Sequence, residues 1–532
     1  MELKELIDLS NKAFQERNFK KVIDLLKKVI VLQPDRYEIY LRLGLASSSL
    51  GNLKEAIDYF EKGASINSNS SPIYCNLGNI YAELGDKTLA LKNYFRAIEI
   101  DPKSFNANYN LGSYYFKIDD IKNAEKYLNL AVNITPNHIY PYNSLFLLYD
   151  RSNNYKKLEG ILKKAKNFFP ENSIIKFFEG IVEYKNKNFK TAVDIFSKVN
   201  LDKRDLSRNA LKTNYLAKSY DSLGMYQEAY KFFEISNKIS EELPQNNSNK
   251  KTFMDSILKR INYFSNIPNK KMQKKIDKSH NSDPVFLIGF PRSGTTLLDT
   301  ILRTHNLIDV IEEKPIVDKL LKEIEKNTGS SFSNLEKIEE LEIKNLKNLY
   351  NKERQNYVKF DKDKIYIDKF PLNIVYLAEI NKIFPNARYI LAVRNPRDSV
   401  LSCFMQSFTP NDAMSNMFNI NDASNLYDKT MELFKIYERS LDLKFHIVKY
   451  EDVINNFEPT IKNLLKFLQV EWTDNLSEFY KTAENKRIIS TPSYDQVNKP
   501  LYSQSIGRWK NYEDQFIETS KIFEKWNKEF NY

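Results

Sequence analysis

Between Pro284 and His305 the chain reads PVFLIGFPRSGTTLLDTILRTH, and the residue types in its middle are those that hold an anion. Gly289 to Thr296 is a compact loop carrying Arg292, Ser293, Gly294, Thr295 and Thr296. Before it, Val285 to Ile288 is an aliphatic and aromatic run bounded by Pro284 and Gly289, which predicts a strand buried on both faces. After it, Leu297, Leu298, Ile301 and Leu302 recur at helical spacing. Strand, loop and helix in this order aim the free N–H groups of the helix start into the loop, where the partial positive charge favours an anion. The competing reading is an ordinary strand-to-helix turn with an exposed arginine, and the flanking elements speak for the anion loop. Further along, Arg394 follows the apolar run ARYILAV and Ser402 comes eight residues later. A guanidinium fork and a helix hydroxyl can both donate to phosphate oxygens. Glu312 and Glu313 form a carboxylate pair, Lys369 lies in KIYIDKF, and Tyr450 ends KFHIVKY.

The loop comes close to GxxxxGK[ST], the phosphate loop of nucleotide triphosphatases. Gly289 and Gly294 are correctly spaced and Thr296 fills the hydroxyl slot, but Thr295 stands where a lysine should grip the terminal phosphates. PRSGTT resembles instead the 5'-phosphosulfate loop of sulfotransferases that use 3'-phosphoadenosine 5'-phosphosulfate (PAPS), in the arginine form of the tyrosylprotein sulfotransferases. The resemblance implies that Arg292 to Thr296 cradle the phosphosulfate and that Arg394 and Ser402 hold the 3'-phosphate. It runs without a gap to the glutamate pair, where the family's second glutamate is the general base. Glu313 is therefore expected to take the proton of an acceptor hydroxyl, burial raising its pKa toward neutrality. Ile311 stands where the family commonly has glycine, and Lys314 follows the pair. The other reading of the pair is a solvated acidic turn capping the helix that starts at Pro315. DKFP resembles a family segment whose lysine, here Lys369, neutralises charge on the bridging oxygen, a role shared with Arg292.

Tyr450-Glu451-Asp452 resembles the family's YED, which places a tyrosine near the nucleotide. TPSYDQVNKPLYSQSIGRWKNY resembles its C-terminal loop, implying Ser493 on the phosphosulfate side and Lys499 at the 3'-phosphate, with Arg508 and Trp509 opening a closing helix. No metal is implied, because a sulfuryl group carries less charge than a phosphoryl group and arginine, lysine and backbone donors suffice. His305 is read as structural.

These residues need a scaffold that brings strand ends together. From Pro284 onward VFLIGF, KIYIDKF, ARYILAV and KFHIVKY alternate with helical patterns, which predicts an α/β domain over 284–532, a parallel sheet with helices on both faces. Ligands of such sheets lie at the carboxyl ends of the strands.

The first half has a different logic. Leu43-Gly44, Leu77-Gly78 and Leu111-Gly112 recur at 34-residue steps, as do Pro102, Pro136 and Pro170, and Ala56, Ala90, Ala124 and Ala192 fall in phase. The pattern resembles the tetratricopeptide repeat, an α-helical solenoid of antiparallel pairs. Small residues let neighbouring helices approach, and prolines between copies cost no helix hydrogen bond. About seven copies are expected over 1–240, the last shifted by three residues, with 241–283 a connector that is helical around FMDSILKRINYF and basic after it.

Composition narrows the function classes. The chain has 532 residues, 42% hydrophobic and 13% aromatic, which predicts folded structure in two or more domains. A formal net charge of +11 suits an anionic donor or acidic substrate, and no nucleic-acid module is present. Two cysteines build no disulfide framework and four histidines show no metal-ligand spacing. No apolar stretch predicts a signal peptide or membrane span, so the expected location is cytoplasmic. A solenoid fused to a transferase suits an extended peptide acceptor, and a tyrosine phenol, with a free pKa of about 10, suits a carboxylate base. Peptidyl tyrosine is thus placed ahead of carbohydrate or a small molecule. A P-loop kinase-like phosphotransferase and an inactive repeat scaffold are the alternative functions, and a rigid brace is the alternative role of the repeats.

Overall fold

Every repeat turns on a residue with positive φ, and the turn keeps a 34-residue step that the side chains largely conceal. In the computed structural model, which describes residues 3–243, 248–267, 283–481, 501 and 503–532, the positions are Arg17, Gly51, Gly85, Asp119, Asn153 and Lys187. Gly224 comes three residues late, where the sequence places the shifted copy. The residue after the turn opens the second helix of each pair. Asn18, Asp86, Asp120 and Asn154 there each accept a hydrogen bond from a backbone N–H of the first turn, which satisfies one of the helix's orphan donors. Gly78 shows why a small residue recurs between the helices of a pair: a Cβ there would lie 2.6 Å from the Tyr94 ring.

Contacts divide the chain into units 1–185 and 186–532. The first unit is the helical array, with buried clusters such as Ala56, Phe60, Ile73, Leu77 and Ile80 between successive pairs. No described helix is long and apolar enough to cross a membrane.

The second unit is built on five parallel strands in the order β2-β3-β1-β4-β5: β1 Val285–Gly289, β2 Ile308–Glu312, β3 Ile365–Lys369, β4 Arg388–Val393 and β5 Lys444–Lys449. Alternation along β1 sends Val285 and Leu287 into one core and Phe286 and Ile288 into the other, so the strand is buried on both faces as its composition predicts. Register aligns the carboxyl ends: Glu312 pairs with Lys369, Gly289 with Ala392, and Val393 with Lys449. The chain leaves β1 toward β2 and leaves β4 toward β5, in opposite directions, which opens a crevice at the carboxyl ends of β1 and β4.

The residues expected to end the array and the helix expected within the connector pack with the sheet. The hairpin of helices Leu206–Ser222 and Tyr226–Glu241, and the helix Lys250–Ser265, belong to the second unit and bury Ala217, Phe233, Ile257 and Phe264 in the same cluster as β1. Asn214 donates to the Met405 carbonyl at 3.1 Å, and Asn237 to those of Phe404 and Phe418 at 2.9 and 3.0 Å. The bonds to Phe404 and Met405 satisfy carbonyls at the end of helix Pro396–Phe404. Arg260 on the connector helix forms a buried ion pair with Glu379 at 2.6 Å. The buried face of this helix, Ile257, Arg260 and Phe264, includes a charge whose partner lies far along the chain.

Candidate active site

The loop after β1 is shaped by close approach. A Cβ on Gly289 would lie 2.4 Å from the Ala392 carbonyl of β4, and one on Gly294, at φ 96, would lie 2.8 Å from the Tyr450 ring. The helix Thr295–Leu302 starts there with every residue buried, and Ser293, Thr295 and Thr296 are buried at its mouth. Arg292 takes φ 67, a backbone conformation that L side chains rarely adopt.

Tertiary structure brings the second anion-binding segment alongside. Arg394 Nη1 donates to the Arg292 carbonyl at 3.2 Å, and its guanidinium lies 4.8 Å from the Tyr450 ring centroid. Arg394 also donates to the Ser505 carbonyl. Ser402 accepts from Arg292 Nε at 3.0 Å, so it ties the two segments together. Arg394 Nε and Ser293 Oγ are buried without a hydrogen-bond partner among the described residues. Burial raises the Tyr450 pKa, against the opposing pull of Arg394.

Further contacts support the crevice. Asn395 caps helix Pro396–Phe404, and its N–H donates to Glu451 Oε1 at 3.0 Å. Glu451, the middle residue of YED, in turn accepts from Tyr532 at 2.8 Å. Asp398 accepts from the N–H groups of Gly507 and Trp509 at 2.7 and 2.9 Å, anchoring the C-terminal segment to the β4 crevice. The helix expected at Arg508 is a 3-10 segment, Arg508–Phe516, interrupted at Tyr512. Arg508 and Tyr512 both bond Asp221. Cys403 beside the loop donates to the Pro291 carbonyl, and burial pushes its thiol up to about 12. His305 accepts from Leu307 N–H at Nδ1 and bonds the Glu471 carbonyl through Nε2, a structural role.

At the ends of β2 and β3 the carboxylates gather around one lysine. Lys369 is 0% exposed, and its Nζ lies 2.8 Å from Glu313 Oε1, 3.7 Å from Glu312 Oε1 and 3.9 Å from Asp299 Oδ2. Glu313 has φ 48, and its N–H donates to the Lys369 carbonyl at 2.8 Å. The burial invoked for Glu313 falls on its neighbour: the Glu312 side chain is 9% exposed and that of Glu313 35%. Strand pairing decides this, because Glu312 is the last residue of β2 and Glu313 the first beyond it. Asp299 and Arg303 are site residues that sequence reading missed; an aspartate amid LLDTIL was the available signal. Ser493 and Lys499 lie outside the described residues.

Residues 284–474 match the profile of the sulfotransferase family, 37–70 and 105–138 that of the tetratricopeptide repeat, and 78–119 a further TPR repeat profile. An uncharacterized protein of Aquifex aeolicus (strain VF5) is 27% identical over 248 residues, 46% of this chain and 32% of that protein. Protein-tyrosine sulfotransferase 1 of Danio rerio is 27% identical over 234 residues, 42% of this chain and 65% of the relative. The Homo sapiens protein of that name is 27% identical over 233 residues, 42% of this chain and 62% of its own. The chain thus spans less than two thirds of each of these relatives. A tetratricopeptide repeat protein from Parabacteroides merdae ATCC 43184 aligns with 48% of this chain and 96% of its own at 18% identity and a TM-score of 0.34. The chain thus matches tetratricopeptide repeat profiles in its first half and the sulfotransferase family profile over 284–474, and over about two fifths of its length it is similar to the protein-tyrosine sulfotransferases.

Proposed function

We propose that the second unit is a sulfotransferase that uses PAPS as donor and sulfates an acceptor hydroxyl, with peptidyl tyrosine as the acceptor class and the repeats as its holder. The observation that carries the donor reading is the meeting of Arg292, Arg394, Ser402 and Tyr450 at one strand-end crevice, over a loop of helix-start N–H groups. Such a concentration of donors suits a polyanion with two separated charged ends. The orphaned Ser293 Oγ and Arg394 Nε, and a loop that a Cβ on Gly294 would crowd, fit that group.

Arg394 and Ser402 would hold the 3'-phosphate, and Arg292 with residues 293–296 the phosphosulfate. Tyr450, against both Gly294 and Arg394, forms the wall between them. PAPS bound there supplies an activated sulfuryl group. Glu313, the more exposed carboxylate of the pair, accepts the acceptor's proton, while Arg292 and Lys369 stabilise developing charge.

Isothermal titration with 3'-phosphoadenosine 5'-phosphate (PAP) tests the donor. Binding should weaken strongly in Arg292→Ala and Arg394→Ala, and ADP, lacking the 3'-phosphate, should bind worse than PAP. Equal PAP affinity in all three proteins overturns the reading, and preference for ATP with magnesium transfers it to the kinase class.

A further inference from the structure

The donor reading gives no task to Asp299 or Arg303, yet both reach the reaction centre. Asp299 sits in the loop helix with its side chain 2% exposed. Its carboxylate bonds Arg303 one turn on through Oδ1, and its Oδ2 lies 3.9 Å from Lys369 Nζ. Arg303 Nη2 lies 3.8 Å from Glu312 Oε2, and Glu312 Oε1 lies 3.7 Å from the same lysine nitrogen. Aspartate, arginine, glutamate and lysine therefore alternate around a closed ring holding two charges of each sign. Alternation is what makes so many buried charges tolerable, since each faces two of opposite sign. Glu313 stands outside the ring, joined to it only at Lys369 among the ion pairs of the described residues.

We propose that Asp299 and Arg303 are positioning residues for sulfuryl transfer. Their ring sets a second cation near Glu312 and fixes Lys369 Nζ, which lies 2.8 Å from Glu313, the carboxylate that takes the proton. The ring also sets where Lys369 stands relative to the loop, because Asp299 projects from the helix that the loop begins. An error of about 1 Å at a reacting group costs on the order of a hundredfold in rate. This inference rests on the sulfotransferase reading, and the test separates the two.

Initial rates of sulfur-35 transfer from PAPS into a lysate of the protein's own cells, at fixed lysate and varied PAPS, give a maximal rate and a KM for the full-length chain. PAP titration and a melting curve accompany each variant. Asp299→Asn keeps the shape and removes the charge, so it should lower the maximal rate roughly tenfold to a hundredfold with PAP affinity and KM for PAPS unchanged. Glu312→Gln should behave alike, and Glu313→Gln should lose more. Arg303→Lys, which keeps the charge, should retain much of the rate that Arg303→Met loses; this partly exposed site also serves should Asp299→Asn fold poorly. A maximal rate for Asp299→Asn equal to the wild type, or Lys and Met at Arg303 losing equally, overturns the ring. A wild type that binds no PAP overturns the donor reading and the ring with it.

Discussion

Arg292 and Glu313 share a backbone feature that their side chains do not advertise. Both take positive φ, 67 and 48, without being glycine. The other non-glycine cases lie at repeat turns, at Arg17, Asp119, Asn153 and Lys187, or at the helix ends Gln469 and Asn531. Strain of this kind is tolerated where the surroundings hold it, and it marks functional loops. For Glu313→Gln the expected loss is on the order of a hundredfold to ten-thousandfold in transfer rate at full PAP binding. A near-wild-type rate there beside a dead Glu312→Gln would show the base to be Glu312. A second residue-scale prediction concerns Asp368, next to Lys369 on β3 but fully buried, with its pKa pushed up to about 7 by burial while the Tyr350 hydroxyl donates to it at 3.1 Å. Its unfolded value is about 4. Between these values the folded chain keeps a proton that the unfolded chain has lost, so stability falls as pH rises from about 4 to about 7 and then levels. Melting temperatures of Asp368→Asn should fall less over that window than those of the wild type; parallel curves would remove Asp368 as the cause.

Among elements, the helix Lys250–Ser265 changes the picture most. Arg260 bonds Glu379 and the Ser331 hydroxyl, and its guanidinium lies 4.5 Å from the Phe332 ring and 5.1 Å from that of Tyr376. Removing one partner of a buried pair strands the other charge. Arg260→Met should cost about 3–5 kcal/mol in denaturant unfolding, and the double variant Arg260→Met/Glu379→Leu should recover most of it. Equal destabilisation in single and double variants would mean that the guanidinium's ring contacts, not the charge pair, hold the helix. The neighbouring hairpin bears on the crevice, because Asn214 and Asn237 satisfy the end of helix Pro396–Phe404, on which Ser402 and Asp398 stand.

At the scale of the whole molecule, the division at 185/186 makes a deletion prediction. A chain starting at 186 should fold cooperatively and bind PAP, whereas one starting at 241 should not, because it loses Asn214, Asn237 and Asp221 and bares their partners. Circular dichroism melting with PAP titration checks both, and a PAP-binding chain from 241 would defeat the assignment of the hairpin to the second unit. The proposed role of the repeats is read from the acceptor. If the array holds a peptide, deletion of 1–185 should abolish sulfur-35 labelling of protein in a lysate while PAP binding persists. Label confined to polysaccharide or small molecules, and unchanged by the deletion, would leave the repeats as a brace.

The sequence by itself determined the features that are local or periodic. A strand buried on both faces must be apolar throughout, a phosphate-type loop must carry glycine where the backbone approaches its neighbours, and stacked helix pairs must repeat their small residues every 34 positions. The strand-end placement of Arg292, Arg394, Lys369 and Tyr450 was legible because each lies beside an apolar run, and strand ends of a parallel sheet converge. Even within the repeats the turn was half hidden, since only three of its seven positive-φ positions are glycine. Only tertiary structure decided the rest. It placed Asp299 against a lysine some 70 residues away and Arg303 against Glu312, buried Glu312 rather than Glu313, and gave the buried Arg260 of the helix 250–265 its partner Glu379. A buried charge is acceptable only beside its counter-charge, and that pairing is a fact of three-dimensional proximity that neither composition nor periodicity encodes.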